Sequence, residues 1–113
     1  MTKNSTSTSN TAEPQYSQLK QLLESYQKKQ FDLAEKSAIR ITSEFPEHPF
    51  AWKVLGALLN QTGRISEALD ACEKAVLLEP NNAEAHNNLG NTLYKLDRLE
   101  EAESSYRKSI AIE

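Results

Sequence analysis

Residues of the same type recur every 34 positions along most of this chain. Ala34, Ala68 and Ala102 are separated by that interval. A fixed period of this size indicates a repeat protein, in which each unit is one small supersecondary element. The period divides the chain into three units, 15–48, 49–82 and 83–113, and the last of them is truncated.

Within each unit the apolar residues follow a helical spacing. Leu55, Leu58 and Leu59 fall on one face of a first helix, and a second apolar run begins at Ile65. Gly63 lies between the two runs, where it can adopt the left-handed conformation that ends a helix. The prolines at 46 and 80 stop the second helices. Each unit is therefore predicted to be two helices joined by a tight turn.

The turn positions of the other units hold less suitable residues. Asp97 and Lys29 are the equivalents of Gly63. Aspartate tolerates the left-handed conformation moderately, whereas lysine should be strained in it. We therefore expect the first hairpin to be the least stable of the three.

The second unit carries a specific motif, Trp52-x2-Leu55-Gly56-x2-Leu59 followed by Ala68-x3-Cys72 and Pro80. The third unit repeats it with Leu89-Gly90-x2-Leu93 and Ala102-x3-Tyr106, with His86 in the tryptophan position. This pattern resembles the tetratricopeptide repeat family. The resemblance implies an all-α fold, a right-handed superhelix of three helix-turn-helix repeats with six helices. It also implies a scaffold whose first helices line a concave groove that binds a protein or peptide.

Side chains on one face of the first helices are the candidate partner-binding residues. They are Phe50, Lys53, Ala57, Asn60, Glu84, Asn87, Asn88, Asn91, Tyr94 and Lys95. In the first unit the corresponding side chains are Tyr16, Leu19, Leu23 and Tyr26. An asparagine amide can donate to and accept from a peptide backbone of any sequence. The asparagines could equally be a polar surface, and Phe50 could pack against the first unit instead.

Two subfamilies sharpen these expectations. Some tetratricopeptide domains grip the C-terminal tails of chaperones with basic groove residues, but the matching positions here are mostly Leu19, Leu23, Val54, Glu84 and Asn88. The segment 85–91 resembles the asparagine-rich repeats of O-linked N-acetylglucosamine transferases and their bacterial relatives. The alternative function is therefore the N-terminal repeat arm of a larger glycosyltransferase-like protein.

Composition limits the other functions. The 113 residues carry a net charge of -3, so we expect no nucleic-acid partner, and no apolar run is long enough to predict a membrane partner. Residues 1–14 are predicted to be a disordered tail before a domain at 15–113, because serine, threonine and asparagine dominate them. They contain no secretory signal, so a cytoplasmic location is expected.

No motif predicts an enzyme, a cofactor or a metal site. His86 falls in a helix-packing position, and Cys72 lies on an apolar helix face where a small buried thiol is usual. The last helix presents Tyr106, Ile110 and Ile112 near an edge that nothing in the sequence covers. An uncovered apolar edge favours contact between molecules, so a homodimer through the C-terminal helix is possible.

Overall fold

A computed structural model describes residues 13–113, and six helices with no strand make up this part of the chain. They are α1 (Tyr16–Gln27), α2 (Phe31–Glu44), α3 (Pro49–Gln61), α4 (Ile65–Leu78), α5 (Ala83–Lys95) and α6 (Leu99–Ile112). The predicted all-α class and the six helices are confirmed. The predicted disordered tail falls almost wholly on residues 1–12, which lie outside the described residues. Pro14, at its end, is already buried.

The turns between paired helices adopt the predicted left-handed conformation. The φ angles are 61° at Lys29, 83° at Gly63 and 64° at Asp97. Lysine carries a Cβ that crowds the following carbonyl in this conformation, which costs about 1–2 kcal/mol. The strain expected at Lys29 is therefore present in the backbone.

Small residues let the two helices of a hairpin approach closely. A Cβ added to Gly56 would lie 2.6 Å from Cys72 Sγ, and one added to Gly90 would lie 2.7 Å from Tyr106 Cε1. The first unit has the opposite arrangement, with Leu22 on α1 and Ala38 on α2 at the equivalent positions, both fully buried. Each hairpin therefore combines one small and one larger residue at this crossing.

Successive hairpins contact each other mainly through the second helix of one hairpin and the first helix of the next, α2 with α3 and α4 with α5. The first helices α1, α3 and α5 contact one another in order, whereas the second helices of neighbouring hairpins do not. The first helices thus form the inner side of a curved stack with extents of 54 × 28 × 22 Å. Within residues 13–113 no helix is long and apolar enough to span a membrane.

The aromatic position of the motif joins each hairpin to the turn before it. Trp52 Nε1 donates a hydrogen bond of 2.8 Å to the carbonyl of Pro46. His86 Nε2 lies 2.7 Å from the carbonyl of Pro80, one unit later. Because a carbonyl can only accept, His86 Nε2 must carry the proton. Histidine therefore replaces tryptophan here without losing the hydrogen bond.

Candidate protein-binding surface

The middle of the inner surface holds a charged and aromatic group from two neighbouring hairpins. Lys53 Nζ on α3 lies 3.1 Å from Glu84 Oε1 on α5, and 5.8 Å from the centroid of the Phe50 ring. The Lys53 side chain is only 16% exposed. Its charge is compensated by a carboxylate and by the face of an aromatic ring. Lys53 is therefore already engaged before any ligand binds.

Asn60 differs from the other candidate residues because it is buried between hairpins. Its side-chain Nδ2 donates a 2.7 Å hydrogen bond to Thr92 Oγ1. The backbone carbonyl of Asn60 accepts a hydrogen bond of 3.3 Å from Lys95 Nζ. Thr92 Oγ1 also donates to the carbonyl of Asn88 and lies 3.4 Å from Cys72 Sγ. The side chain of Asn60 thus links two repeats rather than standing open on the inner surface.

Besides Glu84 and Lys95, which are exposed and engaged with the second hairpin, three further candidates of the third unit are exposed. They are Asn87, Asn91 and Tyr94, and the Tyr94 residue is 63% exposed. Asn91 Oδ1 accepts a 2.6 Å hydrogen bond from the hydroxyl of Tyr106 on α6. Burial raises the pKa of the Tyr106 phenol, and the nearby Tyr94 phenol adds to the increase. These residues therefore border both the inner surface and the surface formed by α5 and α6 on the side away from the second hairpin.

The first hairpin contributes an apolar part of the inner surface. Tyr16 is 77% exposed and Leu23 is 40% exposed, at the positions equivalent to Phe50 and Ala57. Leu19 and Tyr26 are half-buried against the core. Ala57 and Asn88, further along the surface, are also half-buried. The inner surface thus changes from apolar on α1 to amide-rich on α5.

Thr92 is a structural residue that the sequence did not single out. It is fully buried and connects Asn60, Cys72 and Asn88. The equivalent residue of the second unit is Leu58, so the period alone suggests an apolar core position. Only the proximity of two polar side chains across the hairpin interface reveals its role.

The two candidate reactive residues, Cys72 and His86, are buried among the packed helices. Burial raises the pKa of the Cys72 thiol, which makes a thiolate less accessible at neutral pH. No group of three or more histidine, cysteine, aspartate or glutamate side chains that could hold a metal ion occurs in the part of the chain that the structure describes.

Comparison with known proteins identifies the repeats. A family model described as "TPR repeat" matches residues 56–97, and the tetratricopeptide repeat model matches residues 83–113. The chain contains tetratricopeptide repeats. A search of curated proteins found no significant match.

Solved tetratricopeptide structures share the fold. A MamA structure from AMB-1 is 28% identical with a TM-score of 0.74, and the match covers 80% of this chain and 49% of that one. A point mutant of MamA is 26% identical with a TM-score of 0.78, covering 85% of this chain and 70% of that one. This chain therefore spans about half the length of the first MamA chains that it matches.

A further tetratricopeptide structure shows the fold at lower identity. The first TPR of Spaghetti (RPAP3), bound to an HSP90 peptide, is 19% identical with a TM-score of 0.79. The match covers 83% of this chain and 75% of that one. The likeness of segment 85–91 to O-linked N-acetylglucosamine transferases rests on the sequence alone.

Proposed function

We propose that this chain is a protein-interaction scaffold that binds an extended polypeptide segment along the inner surface of its tetratricopeptide repeats. The observation that carries the proposal is the exposure of apolar side chains on the first helix, Tyr16 at 77% and Leu23 at 40%. Apolar groups that face water on an accessible surface favour contact with a partner. The family models and the solved structures support a role in protein interaction in general terms.

The charges of the inner surface favour an apolar ligand over an acidic one. Lys53 is paired with Glu84 at 3.1 Å, so it offers little to a free carboxylate. The RPAP3 structure contains an HSP90 peptide, but at 19% identity it supports only the shared fold. We infer that Tyr16 and Leu23 anchor apolar side chains of the ligand, while the amides of Asn87 and Asn91 bond its backbone.

We also infer that the chain acts by binding and not by catalysis. The Cys72 thiol is buried with a raised pKa, and His86 Nε2 is engaged by the Pro80 carbonyl. A nucleophile or a general base must reach a substrate, and neither group is placed on the open inner surface. A cytoplasmic location stays a prediction from the sequence.

Selection from a random peptide library, followed by calorimetry with the selected peptide, tests the proposal. Leu23→Glu should weaken binding at least about tenfold, because it places a charge where an apolar anchor would pack. Ile39→Glu is the matched control, since Ile39 is similarly exposed at 46% but belongs to the outer helix α2. Equal losses from both variants, or no selected peptide that responds to Leu23→Glu, would contradict the proposal.

A further inference from the structure

The row of side chains nearest the start of the first helices changes in character along the inner surface. Tyr16, Phe50 and Glu84 occupy the same repeat position, one on each first helix. Tyr16 is 77% exposed and Phe50 is half-buried, so two aromatic rings are followed by a carboxylate. A lysine or arginine side chain has the matching chemistry, because its aliphatic stem packs on apolar surface while its charged end stays in water.

The accessible charge at the end of this row is negative. Lys53 Nζ and Glu84 Oε1 form an ion pair at 3.1 Å, but the Lys53 side chain is 16% exposed and that of Glu84 is 69% exposed. The Lys53 ammonium also lies 5.8 Å from the centroid of the Phe50 ring, which compensates part of its charge. A ligand on the inner surface therefore meets the carboxylate rather than the ammonium.

The ion pair leaves Glu84 able to bind a second cation. Within residues 13–113 the only ion pair of Glu84 is the one that its Oε1 makes with Lys53. A carboxylate has two oxygens with about four acceptor positions, so Oε2 can accept from a ligand ammonium or guanidinium group. Such a group would lie closer to the carboxylate than to Lys53 Nζ, so the attraction exceeds the repulsion.

Glu84 stays accessible whatever packs on the far side of α5 and α6. Phe50 has the same repeat position as Glu84, and α5 packs against its helix α3. Phe50 nevertheless keeps part of its surface exposed. This repeat position is therefore open to the inner surface even in a unit that the next hairpin covers.

We propose that the segment bound along the inner surface carries a lysine or arginine that binds Glu84, in addition to the apolar residues that contact Tyr16 and Leu23. This inference rests on the proposed function, because it specifies the ligand of the same surface. Packed helices are about 8–10 Å apart, so Tyr16 and Glu84, two helices apart, are separated by roughly 18 Å. An extended chain advances about 3.3 Å per residue, which places the basic residue about five or six positions from the residue that contacts Tyr16.

Peptides that are selected from the random library, and whose binding Leu23→Glu weakens, are the probes for this test. They should carry a basic residue at the stated spacing, and Glu84→Gln should weaken their binding about fivefold, the contribution of an exposed ion pair. Glu100→Gln is the matched control, because Glu100 is also an exposed acidic residue in the first turn of its helix but belongs to the outer helix α6. Circular dichroism of each variant checks that it is folded.

Lys53→Met separates ligand binding from a structural effect of the ion pair. Both Lys53→Met and Glu84→Gln break the pair, so a purely structural role would change the peptide affinity in the same direction. Recognition by Glu84 predicts opposite directions, weaker binding for Glu84→Gln and tighter binding for Lys53→Met, because loss of the ammonium leaves the whole carboxylate to the ligand. Replacing the basic residue of the peptide by glutamine should abolish both effects.

The outcomes distinguish this inference from the proposed function. Peptides that respond to Leu23→Glu but bind the Glu84→Gln variant as tightly as the unmodified chain would overturn the inference and leave the proposed function in place. A change in the same direction for Lys53→Met and Glu84→Gln would overturn it as well. If no peptide responds to Leu23→Glu, the proposed function and this inference both fail.

Discussion

At the scale of single residues, the close crossing of paired helices depends on size complementarity. The second and third units place glycine on the first helix and a larger residue on the second, at 56 with 72 and at 90 with 106. The first unit reverses the pair with Leu22 and Ala38. The departure of the first unit from the Leu-Gly motif is thus a compensated exchange, because Leu22 with Ala38 keeps one large and one small residue at the crossing, as Gly90 with Tyr106 does.

We predict that Gly56→Ala destabilises the chain and that Cys72→Ala reverses the sign of this effect. The new Cβ would lie 2.6 Å from Cys72 Sγ, and the Cys72 residue is only 1% exposed, so it has little room to move. Overpacking costs about 1–3 kcal/mol, while alanine gains roughly 1 kcal/mol of helix propensity over glycine. The net loss should be about 1 kcal/mol, measured by urea unfolding.

The control for this prediction is the same Gly56→Ala change made in the Cys72→Ala background. There the clash is absent, so the alanine should stabilise the chain by up to about 1 kcal/mol. The same destabilisation in both backgrounds would show that the thiol contact does not determine the effect.

At the scale of helices, the joint between the second and third hairpins depends on a buried polar contact. Asn60 Nδ2 donates to Thr92 Oγ1 at 2.7 Å, while the buried Asn60 Oδ1 has no partner among the described residues. The third hairpin packs on the second through α5, which contacts both α3 and α4, and the hydrogen bond from Asn60 to Thr92 links α5 to α3. Removing either partner should loosen the joint between the hairpins.

We predict that Thr92→Val costs more stability than Asn60→Ala. The threonine variant leaves the amide Nδ2 of Asn60 buried without an acceptor, which costs about 1–3 kcal/mol. The asparagine variant removes both the donor and the unpaired Oδ1. A double-mutant cycle by thermal unfolding should show a coupling of about 1 kcal/mol. Asn87→Ala, at an exposed position, should have little effect, and additive losses at 60 and 92 would refute the coupling.

At the scale of the whole molecule, the three hairpins are unequal in stability. α1 and α2 contact each other over less of their length than the paired helices of the other units. The first turn also holds Lys29 at a φ of 61°. In a linear array each unit is stabilised mainly by its neighbours, and the first hairpin contacts only the second within the described residues.

We predict that hydrogen exchange shows residues 15–44 opening before residues 49–95. A repeat array opens first at its least stable unit. In the first unit the two helices contact each other less extensively, and the turn residue Lys29 has a strained backbone. Lys29→Gly should slow exchange in α1 and α2 selectively, because glycine adopts a positive φ without strain. Uniform protection of all three hairpins, or no selective effect of Lys29→Gly, would contradict this order.

The sequence by itself determined the helical repeat, because the period reports which residues must be small, apolar or turn-forming. Spacing of 34 residues and the Leu-Gly pairs predicted the hairpins, and helix bounds such as Pro49–Gln61 agree with the structure. The three left-handed turn residues were also readable, since only local backbone chemistry is involved.

Only the tertiary structure decided which polar side chains are open to a partner. Asn60 and Tyr94 share a repeat position, yet one is 8% exposed and the other 63% exposed. Lys53 and Asn87 are likewise equivalent, but only Lys53 faces a carboxylate from the next hairpin. The physical reason is that exposure depends on which helix is stacked above a residue. A repeat motif determines the helix to which a residue belongs, but it does not determine which helix packs over that residue.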